Sequence, residues 1–279
     1  MKKNRYKVGL IGIIFKSSCI LCWTICLLTY SYAANASREK FYYFNPDSSQ
    51  SNLARLKKEM EHFLDRNDLS IDFQPFAKFH DFQREMKNNT PTFAFLPEWY
   101  FRQNKKDSKF KPFLQPVRQG RATYRKVLLT EKDSNITLQG LRNKTLAVTT
   151  MGNETSTLLD VIILNKLKLT SASLNIITTP KDSDALLALA MGQVDSALVS
   201  KNNLQKIGSI NPRILELVQP LAESQPIPLP ILCLYVGEEM ISNNQVIKLK
   251  KILLEAQYSS DSANLMEMLQ IDAWHNYPF

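Results

Sequence analysis

The sequence predicts an α/β fold of two lobes joined by two hinge crossings. Three observations carry this. Apolar strand-like runs alternate with segments of helical period along the whole chain. The second half repeats the strand, helix, strand, helix, strand order of the first. A segment with three prolines, Gln225-Pro226-Ile227-Pro228-Leu229-Pro230, then forbids regular structure and suits a crossing back to the first lobe. At 279 residues the chain is long enough for two lobes of about 100–150 residues each.

Residues 1–36 read as a secretory signal peptide. Lys2, Lys3, Arg5 and Lys7 make a basic start, residues 19–30 are apolar, and Ala34-Asn35-Ala36 is a small-x-small cleavage site. Lys16 splits the apolar run, which leaves it shorter than the roughly 20 residues of a bilayer-spanning helix. Removing the leader takes away five basic groups, the four above and Lys16, and lowers the net charge from +9 to +4. With no Lys/Arg run interleaved with aromatics and no binding motif, nucleic acid is excluded as a partner. Cys19, Cys22 and Cys26 also leave, so Cys233 cannot form an internal disulfide and reads as a core thiol within PILCLYV. Lys16 stands where a lipid-attachment site wants an apolar side chain, which favours a soluble periplasmic protein over a lipid-anchored one.

In the mature chain, residues 41–44 (FYYF) form a strand ended by Asn45-Pro46-Asp47. Residues 52–67 carry Leu53, Leu56, Met60, Phe63 and Leu64 at helical spacing. A short strand at 70–73 and a helical segment with Phe79, Phe82 and Met86 on one face follow. Residues 92–96 (TFAFL) are the third strand, and Pro97-Glu98-Trp99-Tyr100 comes directly after it. Residues 104–119 are basic with little hydrophobic period, and 105–111 hold four lysines, so this stretch reads as a solvated loop. Residues 123–130 (TYRKVLLT) are the next strand.

Residues 136–164 organise the second half: a lead-in, a buried strand at 145–149, a polar turn at 150–155 and an apolar helix from about Ser156. A strand that turns at once into a helix aims unpaired N–H groups and the positive end of a helix dipole at one spot, a seat for a polar or anionic ligand group. Asn153, Thr155 or Ser156 serving only as a helix cap fits the same pattern, and the stretch alone leaves both readings open. Strands at 174–177 and 194–199 flank an apolar helix at 183–191 stopped by Gly192. Residues 244–258 and 263–269 are helical. The lobes are then residues 37–131 plus 222–279, and residues 132–221. A ligand in such an architecture sits between lobes, at the carboxyl ends of strands.

Nothing marks an enzyme. His62, His80 and His275 have no metal-ligand spacing, and there is no G-x-S-x-G elbow or phosphate-cradling glycine loop. No cofactor is called for. Trp99 and Tyr100 follow a strand and are candidates for the cleft, with core packing as the alternative for each.

Several motifs resemble the phosphate/phosphonate-binding family of type 2 periplasmic substrate-binding proteins, over about residues 41–271. They are the strand and turn Phe93-Ala94-Phe95-Leu96-Pro97-Glu98-Trp99-Tyr100, residues 124–135, Leu138-Gln139-Gly140-Leu141-Arg142-Asn143-Lys144, residues 185–197 (ALLALAMGQVDSA) and Ile227-Pro228-Leu229-Pro230. The resemblance implies the type 2 periplasmic binding protein fold and a soluble receptor of an ABC importer. It also implies a Ser-Thr-Ser turn around the ligand's phosphonyl oxygens, matched by spacing to Asn153-Glu154-Thr155, or to Glu154-Thr155-Ser156 with a one-residue slip. A family tyrosine matches Tyr100, and Asn45 and Asp47 fall in the ligand-facing loop. Asp182 stands where the family has a histidine. Glu154 facing a dianion would cost about 4 kcal/mol for unit charges at about 4 Å with a surface-like dielectric, so either it points away or the ligand is not a plain phosphonate.

The reading is a periplasmic receptor, a monomer, that holds a small ligand of oxyanion type through Asn45, Asp47, Tyr100, Asn153, Glu154, Thr155, Ser156 and Asp182, with an ABC permease as partner. Thr155→Ala is expected to weaken binding and leave the melting temperature almost intact. The alternatives are a ligand-sensing or accessory module of the same fold acting on a membrane signalling partner, and a protein that kept the fold and lost the pocket.

Overall fold

The computed structural model describes residues 38–48, 52–106, 109–237 and 243–278. The expected signal peptide lies outside the described residues.

Two mixed sheets form the frame. In the first, β1 (Glu39–Tyr43), β2 (Ile71–Pro75) and β3 (Phe93–Leu96) run parallel in the order β2-β1-β3. Their connections are α1 (Leu53–Arg66) and α2 (Phe79–Asn88). Helix α1 starts where the Asn52 side chain accepts from Arg55 N at 2.9 Å, and its Leu56, Met60, Phe63 and Leu64 are buried at the spacing of one helical face. All four residues of β3 are buried, as a central strand covered on both faces requires. Helix α3 (Glu98–Asn104) follows at once.

The basic stretch expected as a loop holds the eight-residue strand β4 (Phe110–Val117). Pro112 and Pro116 hide it from a strand reading, because each removes a ladder donor. The sheet accommodates them: Pro112 lies opposite Cys233 beside a register shift, and Pro116 lies opposite Trp274. Strand β4 pairs antiparallel with β12 (Ile231–Tyr235) and with the short β13 (Ala273–Asn276), which completes the order β13-β4-β12-β3-β1-β2.

The second sheet repeats the scheme. Strands β7 (Thr145–Thr149), β8 (Asn175–Thr179) and β9 (Ser196–Ser200) are parallel in the order β8-β7-β9, and β6 (Lys126–Glu131) and then β10 (Val218–Glu223) extend the sheet antiparallel beyond β9, with β10 at the edge. Helix α4 (Thr155–Leu159) continues into a π turn over Asp160–Leu164. Helices α5 (Asp182–Ala190), α6 (Lys201–Ile210) and α7 (Pro212–Leu217) cover the sheet. Between the sheets, β5 (Thr123–Tyr124) pairs with β11 (Ile227–Pro228), so two residues of the proline segment do enter a ladder. Helices α8 (Asn243–Glu255) and α9 (Ala263–Leu269) return to the first sheet, where Leu249, Leu253, Leu265 and Leu269 join Phe41, Phe73 and Phe93 in its core. A second cluster is continuous across both sheets and holds Tyr42, Phe44, Phe82, Leu128, Val148, Leu159 and Ile163. Each such side chain contributes about 1.5–3 kcal/mol on burial. Cys233 is buried there as a free thiol, and burial pushes its pKa up.

Candidate functional site

Strand β1 ends in a turn closed by the Asn45 side chain, which accepts from Asp47 N at 3.2 Å. That turn carries the Asp47 carboxylate from the first sheet to the second. Its Oδ1 accepts from Lys126 Nζ at 2.6 Å and from the Thr149 hydroxyl at 2.9 Å, and its Oδ2 accepts from the Tyr124 hydroxyl. The Asp47 carbonyl also accepts from Asn203 Nδ2 at 2.9 Å.

Lys126 is the first residue of β6, Thr149 the last of β7 and Asp182 the first of α5, so the topology brings all three to one end of the second sheet. The Lys126 side chain is 1% exposed. Its three protons reach Asp47, Thr149 at 2.6 Å and Asp182 at 3.0 Å, the full capacity of an ammonium. Asp182, fully buried, also accepts from Ser200 N at 2.6 Å and Asn203 Nδ2 at 3.1 Å.

Two carboxylates share one cation, and their pKa values part accordingly. Burial raises both carboxyls. At Asp47 the charge of Lys126 and the bonds from Lys126, Tyr124 and Thr149 outweigh it and hold the group below its ordinary value. At Asp182 burial, reinforced by the charge of Asp47, prevails over Lys126 and Ser200 and holds the group above its ordinary value. Burial would lower Lys126, but Asp182 and Asp47 hold it above its ordinary value. Tyr124 is held well above its own by burial and then by Asp47.

Beside this cluster lies a cavity of about 590 Å³. Its walls come from the carboxyl ends of parallel strands in both sheets: Asn45 and Asp47 after β1, Pro97 to Trp99 after β3, and Met151 and Glu154 after β7. Leu158, Val161 and Ile162 of the helix line one side, and the proline segment lines another. The π turn frees the Ile162 carbonyl to accept from Gln225 N at 2.7 Å, which ties the crossing to this wall.

Of the expected site residues, Asn45, Asp47 and Glu154 line the cavity, and Asp182 is buried behind it. Asn153 and Ser156 are exposed outside the lining. Thr155 is buried: its hydroxyl donates to the Gly152 carbonyl at 2.7 Å and accepts from Met151 N at 2.9 Å, so it closes its own turn. A Thr155→Ala change therefore bears on stability, contrary to the expectation from sequence. Tyr100 packs against Phe79 and Phe82 and lines a separate cavity of about 330 Å³ with Met86 and Phe110. Trp99 reaches the cleft instead, because successive residues of α3 point about 100° apart.

Lys126, Tyr124, Thr149 and Asn203 join the site without having stood out in the sequence. The one available signal was a lysine opening the otherwise apolar KVLLT. Its partners lie 79 and 56 residues away, beyond any local pattern.

No curated protein matches the chain in sequence. Solved structures do match in fold. A binding-protein component of an ABC phosphonate transporter from Pseudomonas aeruginosa superposes with a TM-score of 0.71 at 16% identity, over 86% of this chain and 81% of that one. PhnD1 from Prochlorococcus marinus, solved with methylphosphonate, gives 0.73 at 11% identity, over 86% and 92%. A Xanthomonas citri protein bound to ATP gives 0.66 at 12% identity, over 87% and 92%. At these identities the likeness is one of fold. In sequence, residues 42–276 match the family described as the periplasmic substrate-binding proteins of ABC phosphonate transporters, and the chain belongs to that family.

Proposed function

We propose that this chain is the solute receptor of an ABC importer, that it holds one small ligand in the 590 Å³ cavity, and that it does no chemistry on it. The observation that carries this is the position of the cavity: the carboxyl ends of parallel strands from both sheets meet there, beside the paired crossings β5 and β11. Each sheet with its helices acts as a lobe. The place of β6 and β10 in the second sheet supports a division of the lobes near Arg125 and Ser224. Ligand shifts the population of open and closed arrangements about the crossings. The closed form docks on a permease. The protein is exported by cleavage after Ala36 and works as a periplasmic monomer.

The test uses the full chain expressed in a two-membrane bacterium and purified from the periplasmic fraction. Mass spectrometry of its N-terminus checks the cleavage. Melting is then followed with phosphate, phosphite, methylphosphonate, sulfate, amino acids and small amines. A ligand at 100 times its Kd adds about 2.7 kcal/mol, a rise of several degrees. A flat response to every class counts against a receptor.

A further inference from the structure

We propose that the cleft selects a cationic ligand with an apolar body, a primary or quaternary amine, in place of an oxyanion. This deepens the receptor reading and rests on it.

The side-chain donors gathered at this end of the second sheet are already committed. All three protons of Lys126 point at Asp47, Thr149 and Asp182, and the Tyr124 hydroxyl donates to Asp47. The Asn203 amide serves the Asp47 carbonyl and Asp182. In the turn before α4, the N–H of Met151 goes to the Thr155 hydroxyl, that of Gly152 to the Thr150 hydroxyl, and that of Thr155 to the Gly152 carbonyl. The carboxylate of Asp47 sits among these donors as an internal anion, and a second anion would have to displace it.

The charge balance points the same way. Lys126 is matched against two carboxyl groups, and Arg102 on the cavity wall bonds Glu98. Glu154 is left on the wall as an exposed carboxylate that pairs with no cation among the described residues. Much of the rest of the wall is apolar, interrupted by Asn45, Gln103, Tyr124 and Gln225. Trp99, Met151, Leu158 and Val161 line the space together with the prolines of the crossing, and Val161 is 64% exposed. An indole and an unpaired carboxylate lining one cavity make a setting that attracts an ammonium and leaves an apolar body dry.

The experiment is calorimetric titration of the periplasm-purified protein with 2-phenylethylamine, benzyltrimethylammonium and other arylalkyl amines. The comparison arms are 2-phenylethanol, which has the same body without the charge, and methylphosphonate and phosphate. Two variants are added, Glu154→Gln and Trp99→Leu, with thermal melting to show that they fold. The expected result is amine binding at least about tenfold tighter than the alcohol, weakened about tenfold by Glu154→Gln and by Trp99→Leu, with no heat from either oxyanion. Binding of methylphosphonate or phosphate without any amine overturns the inference and leaves the receptor reading standing. Amine binding that Glu154→Gln leaves unchanged also overturns it. No binding by any class overturns both.

Discussion

Asp47 and Lys126 join the two sheets through a contact of 2.6 Å, although they lie 79 residues apart and arrive from different sheets. Asp47 stands on the turn after β1 and Lys126 opens β6, so the pair spans the crossing. The ammonium also reaches Asp182. This contact places an anion of the protein's own where a ligand anion would otherwise find its donors.

Replacing Lys126 by methionine leaves two buried carboxyl groups without a counter-ion. Breaking such a pair costs about 3–5 kcal/mol. Urea denaturation should show that loss in Lys126→Met. The combined change with Asp47→Asn and Asp182→Asn should recover part of it, because the uncompensated charges are then gone. A single variant within about 1 kcal/mol of wild type would mean that the cluster is solvated and not buried.

The two carboxyls give opposite acid responses. Asp47 is held below the ordinary carboxylate pKa of about 3.9, so its contribution is complete above that value and is lost as pH falls through its depressed folded value. Asp182 is held above its ordinary value, so the folded state loses stability as pH rises from about 3.9 through the raised folded value. Melting curves against pH should therefore flatten on the neutral side in Asp182→Asn and on the acid side in Asp47→Asn. Parallel curves for the two variants would contradict the assignment. Lys126, raised, keeps its contribution below about pH 10.4 and loses it above its folded value.

Thr155→Ala should cost about 1–2 kcal/mol, since it leaves the buried Met151 N–H without its acceptor. The loss appears as a lower midpoint in chemical denaturation. An unchanged midpoint would show the turn to be held by other bonds.

Gly152 has φ of +70°, and a Cβ there would lie 3.2 Å from the Phe79 ring and 3.4 Å from Trp99. Gly152→Ala should lose about 1–2 kcal/mol from the left-handed backbone alone. It should also shift the Trp99 fluorescence, because the added methyl presses on the cavity wall. Identical emission spectra in the two proteins would contradict the contact.

Much of this fold was legible because its elements are local. The period of Leu56, Met60, Phe63 and Leu64 and the uninterrupted FAFL need no distant partner to be recognised. Strand β4 was not legible, because Pro112 and Pro116 suppress the strand signal that its neighbours restore. Strand β13, four residues with two exposed, is too short to announce itself. At the site, the loop at Asn45 and Asp47 and the oddity of Glu154 and Asp182 could be read by setting them against the family's motifs. Their meaning could not, because it depends on Lys126, which β6 carries in from elsewhere in the chain. Tyr100 and Trp99 differ by one step on a seven-residue helix, and only the packing of Phe79 and Phe82 decides which one turns to the cleft.

The most direct measurement is a crystal structure of the protein with whichever compound binds most tightly in solution. That compound is expected in the cavity between the sheets, its body against Trp99 and Val161 and its polar end within reach of Glu154. Density in the cavity beside Tyr100 and Phe110 instead, with the cleft closed by the Asp47 to Lys126 contact alone, would contradict it.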